Sequence, residues 1–420
     1  MAALPGLGGF KHAFASRNFQ LFWVGQLFGN VGAWVYRLAT AWMAWELTHS
    51  TAWLGIIASG AMLPALFLAP LAGTTSDRYG HRRQLMTSMC GTFTATFIAG
   101  LATVTDMMTI ELLLALALMQ GLSRAFNVPA RNALVPSLVP PEHLSSAIGI
   151  NSATYQGGNF VGPAIGGVLI ASYGVAVCFF FYSVGTLIAF VTLAMLRIAP
   201  RAPRQGRQRS LVGDLVDGLG YTARHKGIRA VMMMATVSAL MIAPFQEMLA
   251  GVSDLVFGRG AAGLATLASS AGFGAMSAGL WLGWRGRTSG LARIELVAVL
   301  TAIGALLVFS LSQTFWLTCL ATGVIAFAMV CGAVAGDSLM QNAVDPAMRA
   351  RVTSVEAMIN IGMPALGAIL IGWAGTQFGV QAPFTVAALL ALAVWLFMGR
   401  ILWRNRDALE RPAAADILRN

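Results

Sequence analysis

The sequence predicts an all-α integral membrane protein of twelve transmembrane helices, in two pseudo-symmetric six-helix bundles. Three observations predict it. Of 420 residues, 57% are hydrophobic and only 10% charged, where a soluble domain carries about 25% charged. Twelve apolar runs are each long enough to cross a bilayer, which takes about 20 residues of helix. A short stretch of the first half returns in the second, at the same place in the order of runs.

Taken in order, the runs are 20–46, 52–76, 84–104, 110–128, 146–171, 175–196, 228–252, 261–284, 292–311, 315–341, 352–375 and 381–402. A single soluble core stops growing near about 250–300 residues, so an apolar chain of this length needs lipid around it. The first run is longer than the apolar stretch of a secretory leader and no small-residue cleavage site follows, so it reads as a span, not a cleaved signal. Cys90, Cys178, Cys319 and Cys331 all fall inside apolar runs, with no C-x-x-C and no Cys/His pairing. That excludes a disulfide framework or a zinc site.

Orientation follows from the basic residues, which collect on the cytoplasmic side. With the N-terminus inside, every Lys and Arg falls in a cytoplasmic segment except Arg259 in an outer loop and Arg37 and Arg124 within spans. Both termini are therefore expected in the cytoplasm of a bacterium, with the chain in its inner membrane. The net charge of +11 is explained by this placement, and a nucleic-acid partner is not expected. The domains read as an N-terminal bundle over 1–196, a cytoplasmic linker over 197–227, a C-terminal bundle over 228–402 and a tail over 403–420. The linker carries Pro200, Pro203 and Gly206 among its arginines, and 211–221 suits a short surface helix.

The repeat lies in the fifth run of each half. Pro163-Ala-Ile-Gly-Gly-Val-Leu-Ile170 returns as Pro364-Ala-Leu-Gly-Ala-Ile-Leu-Ile371, an offset of 364 − 163 = 201 residues. Two apolar runs can agree by chance; the matched Pro and Gly, and the matched ordinal, favour duplication. Parallel six-helix repeats are a transporter architecture.

Two motifs stand out. Gly73-Thr-Thr-Ser-Asp77-Arg78-Tyr-Gly80-His-Arg82-Arg83 links runs two and three on the inner side. Gly73 and Gly80 allow close approach and a tight turn, Asp77 suits the positive end of a helix, and the arginines suit lipid phosphate or a loop anchor. A plain positive-inside loop would not need Gly and Asp at this spacing. The stretch Gly158-Asn-Phe-Val-Gly162-Pro163-Ala-Ile-Gly166-Gly167 sits in run five, where small residues spaced by four let helix backbones touch and Pro163 adds a bend.

The first motif resembles the signature loop of the major facilitator superfamily, G-x-x-x-D-R-x-G-x-R-R. The second resembles that superfamily's antiporter pattern, G-x-x-x-G-P-x-x-G-G. Asn127-Val-Pro-Ala-Arg-Asn-Ala, Leu138-Val-Pro-Pro-Glu-His-Leu and Arg349-Ala-Arg-Val are similar to the bacterial drug and siderophore exporter branch, which includes enterobactin exporters and macrolide-efflux relatives. The resemblance implies the major facilitator fold, export of a small molecule by alternating access, and a proton gradient as energy source with no bound cofactor. The pattern departs from the family at three places. Ala117 stands where the fourth helix has an arginine, the second-half loop near Trp284-Arg-Gly-Arg287 lacks an aspartate, and the first run lacks one as well. Those departures bear on proton coupling.

Ionisable groups inside spans are costly and mark function. Arg37 and Glu247 lie about 17 and 19 residues into the first and seventh runs; at about 1.5 Å per residue this puts them at similar outer depth. Arg124 and Asp337 correspond in the fourth and tenth runs, toward the inner end. The resemblance places runs one, four, seven and ten around a central cavity, so Arg37–Glu247 and Arg124–Asp337 are expected as outer and inner gates. Arg124 also lies near enough the headgroups to snorkel, and Glu247 suits a local bond within its own half. Trp23, Asn30, Trp34, Arg37 and Trp45 share one stripe of the first helix; Trp23 and Trp45, near its ends, equally suit interface belts. There is no G-x-x-x-x-G-K-[ST] and no Ser/His/Asp arrangement, so an enzyme is not expected. The expected function is export of a small amphipathic or hydrophobic compound, with solute import, lysophospholipid flipping or a non-transporting scaffold as other readings. Membrane lipids and protons are the remaining expected partners, and the working unit is expected to be a monomer.

Overall fold

A computed structural model describes residues 14–196, 211–286, 289–345 and 348–410. Helix dominates, and no strand occurs among the described residues. Spans one to six are Arg17–Thr48, Thr51–Tyr79, His81–Val104, Ile110–Leu134, Leu144–Tyr173 and Val175–Ala194. Span seven begins at Lys226–Val237 and continues as irregular helix to Val256; spans eight to twelve are Gly260–Arg285, Leu291–Leu311, Phe315–Ala343, Arg349–Phe378 and Ala382–Arg404. Nine helices among the described residues are long and apolar enough to cross a membrane. Residues 197–210 of the expected linker and 411–420 of the tail lie outside the described residues.

The chain divides into two compact units. One holds Met1–His49, Gly60–Gly206 and Leu264–Ser269; the other holds Ser50–Ser59, Arg207–Gly263 and Ser270–Asn420. Inside the first, span one packs on spans five and six, and span three on spans four and six. Inside the second, span seven packs on spans eleven and twelve, and span nine on spans ten and twelve. Adding six to each number of the first pattern gives the second, so the duplication read from Pro163 and Pro364 extends to the packing.

The repeated prolines lie within long helices, Pro163 in Leu144–Tyr173 and Pro364 in Arg349–Phe378. Their neighbours keep equivalent jobs. A Cβ on Gly166 would meet Leu38 and Val35 of span one, and one on Gly367 would meet the Leu240 carbonyl and Pro244 of span seven. Small residues here let the fifth helix of each half lie directly on the first.

Span seven departs from the uniform helix expected. The Ala243 N–H reaches back five residues to the Ser238 carbonyl, Ala243–Gln246 is a tighter three-residue turn, and Val252–Val256 is wide again. Pro244 accounts for the break over Ser238–Gln246, because it has no N–H for the Leu240 carbonyl and its ring crowds that position. A tight turn rises about 2.0 Å per residue and not 1.5 Å, so even spacing along this span is not a measure of depth for Glu247.

Two short elements lock the ends of the second unit. Leu211–Arg224 is helical, longer than the surface helix expected over 211–221, and its Asp217 pairs with Arg351 of span eleven at 3.2 Å. Arg406–Glu410 turns back so that the Gly290 and Ala292 N–H groups donate to the Glu410 carboxylate at 3.0 and 3.1 Å. A carboxylate there satisfies free N–H groups and faces the positive end of span nine. Glu410→Ala is expected to cost about 0.5–2 kcal/mol, read as a lowered Tm of the purified protein in detergent, with Glu410→Asp closer to the parent.

Candidate functional site

In the first unit, the antiporter-like motif forms a seam between spans five and one. A Cβ on Gly158 would meet the Asn30 backbone and Trp34 ring at 3.4 Å; one on Gly162 would fall 2.5 Å from the Trp34 Cβ and 3.2 Å from the Val31 carbonyl oxygen. Gly167 lies against Ala265 in the same manner. The seam therefore fixes how Asn30 and Trp34 are presented, since both sit on the surface that span five grips.

Polar groups gather beside that seam. Trp34 packs on Tyr155 of span five with ring centres 5.7 Å apart, and the Arg37 guanidinium lies 5.1 Å from the Trp34 ring centre, a cation–π arrangement. From span four, Gln120 donates to the Tyr182 hydroxyl at 3.2 Å, Asn127 to the Ser88 hydroxyl at 3.1 Å, and Arg131 to the Gln26 side-chain oxygen at 3.3 Å. Gln120, Arg124, Asn127 and Arg131 follow one another by four, three and four residues, so they line one face of the helix. Asn30 is only 6% exposed and its amide nitrogen has no hydrogen-bond partner; the buried Arg131 Nε has none either. The groups acting electrostatically on Arg131 are Tyr155, Arg124 and Tyr182.

At Arg131 the structure extends the sequence reading, which ended the fourth run at 128 and placed this arginine on the cytoplasmic side. The helix runs on to Leu134 with Pro129 inside it. A proline biases the residue before it away from helix but does not forbid continuation. The 4-3-4 spacing from Gln120 was the signal that the stripe continued.

The loop between spans two and three turns at Gly80, whose φ of +91° favours glycine. A Cβ on Gly73 would meet nothing within 4 Å among the described residues. Arg82 donates to the Ala194 carbonyl at 2.6 Å, placing positive charge on the C-terminal end of span six, where it is favoured. Arg78 lies over the Tyr79 ring at 5.6 Å, and Arg83 is exposed. The side chain of Asp77 lies outside the described residues. Trp45 is fully buried and Trp23 donates to the Thr154 hydroxyl at 2.8 Å; both are tied into the bundle.

In the second unit, Asp337 of span ten has carboxyl neighbours that sequence reading passed over. Glu356 of span eleven and Glu295 of span nine are near enough to act on it electrostatically. Glu295 is 3% exposed and its Oε2 has no hydrogen-bond partner. Its Oε1 stands 3.4 Å from where a Cβ on Gly336 would sit. Glu295 and Glu356 lie a few residues inside helices whose apolar runs begin at 292 and 352, so in the sequence they looked like solvated edge residues. Glu247 is also buried. Arg37 and Arg124 belong to the first unit, Glu247 and Asp337 to the second, so both gate pairs would have to form between units.

Over residues 11–417 the chain matches the family model described as transmembrane secretion effector. It is 22% identical over 389 residues to macrolide efflux protein A of Streptococcus pyogenes, covering 90% of this chain and 94% of that protein. It is 24% identical over 376 residues to the enterobactin exporter EntS of Citrobacter koseri, covering 88% of each. Among solved structures, a bacterial homologue of the human lysosomal transporter Spinster, inward-facing and occupied, superposes with a TM-score of 0.73 over 92% of this chain and 97% of that one, at 16% identity.

Proposed function

The chain belongs to the transmembrane secretion effector family of the major facilitator superfamily, and on that premise we propose that it exports a small amphipathic or hydrophobic compound by proton antiport through alternating access. The direction is supported by relatives named for efflux of a macrolide and export of a siderophore. Lys and Arg placement supports an inner-membrane orientation with both termini in the cytoplasm.

The observation that carries the coupling is the grouping of three carboxyls, Asp337, Glu356 and the buried Glu295, near enough to act on one another electrostatically. Carboxylates gathered in one place repel one another when all are ionised, so such a cluster is a place where a proton can bind. A third acid nearby makes loss of that proton sensitive to whatever positive charge approaches. Carboxylate chains inside spans are the usual material of proton relays. The proton is taken up on one side of the membrane and released on the other as the two halves rock. Arg37–Glu247 as outer gate and Arg124–Asp337 as inner gate complete the cycle: an arginine that reaches Asp337 competes for it with the proton. Substrate or proton biases the cycle only through a difference in its binding to the two states.

The test has two steps. Comparing metabolites exported by a deletion strain and an overexpressing strain identifies a transported compound. Adding that compound to energised inside-out vesicles containing the protein should then release protons from the lumen, and vesicles lacking the protein should not respond. Transport of the compound with no proton flow would leave an exporter without antiport. No exported difference between the strains would remove the export reading.

A further inference from the structure

We propose that the first unit carries an oxyanion-binding cradle, formed by Arg124 and Arg131 with Asn30, beside the Trp34–Tyr155 aromatic pair, so that the exported compound is an organic anion. This deepens the export reading above and rests on it for the word "exported"; the binding site itself does not.

The argument begins from charge balance. Arg131 lies on span four and donates to the neutral Gln26 amide oxygen, at a long 3.3 Å. Its Nε is buried without a partner. Among the described residues, the groups acting on it are two phenols, Tyr155 and Tyr182, and another arginine, Arg124. The acids of this unit are Glu46, Asp77, Asp106, Glu111 and Glu142. All belong to span ends or loops: Glu46 and Glu111 lie within the last and first turns of spans one and four, and the others in or beside connections. Two like charges two turns apart on one helix face are unfavourable inside a span unless something compensates them.

The geometry indicates the compensating group. Arg124 and Arg131 are seven residues apart, on the same face of the helix. Guanidinium N–H groups are arranged as a fork that matches carboxylate, sulfonate or phosphate oxygens. The Asn30 amide is a further buried donor with nothing to donate to. Orphaned donors surrounded by phenols and amides call for an acceptor with several lone pairs, and a cation or neutral hydrocarbon supplies none. Trp34 and Tyr155, 5.7 Å apart between ring centres, offer an apolar face beside the donors. The matching ligand is an anion with an aromatic or acyl body. An anionic lipid headgroup presents the same chemistry, so the test must separate the two.

The experiment uses the full-length protein in nanodiscs of zwitterionic lipid and two probes of nearly the same shape. 8-Anilinonaphthalene-1-sulfonate carries a sulfonate; N-phenyl-1-naphthylamine lacks it. Fluorescence is measured against empty nanodiscs. The protein should bind the sulfonate probe more tightly, and Arg131→Gln and Arg124→Gln should each weaken it by about tenfold or more, as loss of a charged hydrogen bond requires. Binding of the neutral probe should stay within about twofold, since no guanidinium bond is at stake. Arg131→Lys should restore part of the sulfonate preference, which a merely misfolded variant would not. If adding phosphatidylglycerol to the discs removes the sulfonate preference, the cradle stands and a lipid headgroup is its occupant. Equal loss of both probes, or sulfonate binding unchanged by either glutamine, overturns the cradle. Because binding is read without transport, a failed export assay alongside a retained sulfonate preference would sink the export reading and leave the cradle.

Discussion

Gly162→Leu is expected to abolish export while the protein still reaches the membrane in normal amount. An added Cβ alone would fall 2.5 Å from the Trp34 Cβ and 3.2 Å from the Val31 carbonyl oxygen. Both atoms belong to the packed body of span one and cannot swing aside as a flexible side chain would. Leucine adds three more carbons in the same place. Overpacking of this kind costs about 1–3 kcal/mol when it is relieved by small shifts. The available shift here is separation of spans five and one, which would move Asn30 and Trp34 together. Gly162→Ala should give an intermediate rate, because its single carbon already falls closer than atoms pack. Gly149→Leu, in the same helix, serves as the control, since a Cβ there meets open space. Efflux rates per amount of protein in the membrane decide the matter: normal transport by Gly162→Leu would mean that the seam opens freely.

Asp337→Asn and Glu356→Gln are expected to uncouple export from the proton gradient. Each replaces a carboxyl that can gain and lose a proton with an amide that cannot, at nearly the same volume. Accumulation against a gradient should fall at least about tenfold, on the scale of general acid–base contributions, while downhill movement of the same compound persists. The pair of variants separates two readings of Asp337. A gate residue alone would make Asp337→Asn alter access without any matching defect in Glu356→Gln. A proton bound by the carboxyl cluster makes the two behave alike, and Glu295→Gln should shift the pH dependence of transport without abolishing it. Measurements of uphill and downhill flux over a range of pH decide this. Full coupling in Glu356→Gln would return the proton to some other group.

The architecture was legible in the sequence because lipid enforces it: a span must be long and apolar, and its charges must fall on one side. The glycine seam was legible for a related reason, since only small residues let helices touch, and Gly158, Gly162 and Gly166 mark their own spacing. What escaped were residues at the margins of the apolar runs. Arg131 was hidden by Pro129, which looked like a helix end and is an interior residue. Glu295 and Glu356 were hidden because hydropathy cannot tell a carboxylate at a wet helix end from one folded under a neighbouring helix. Glu295 is buried where spans nine and ten pack together and Glu356 is half-buried on span eleven, which no single run shows. Span seven was misjudged for another reason: Pro244 announces a bend, but the stretch from Ser238 to Val256 is irregular on both sides of it.

That irregular stretch has a consequence for rotation. A uniform helix in a bilayer can roll about its long axis at small cost, because every side of it presents similarly satisfied backbone. Span seven cannot. Pro244 leaves the Leu240 carbonyl without its customary donor, and this oxygen faces Gly367, where any larger residue would collide with it. Turning that side toward acyl chains would expose a polar oxygen to a medium with nothing to bond it. The notch is therefore an angular key: it holds span seven at one azimuth against span eleven, and any movement of this half must carry the two helices together as one piece.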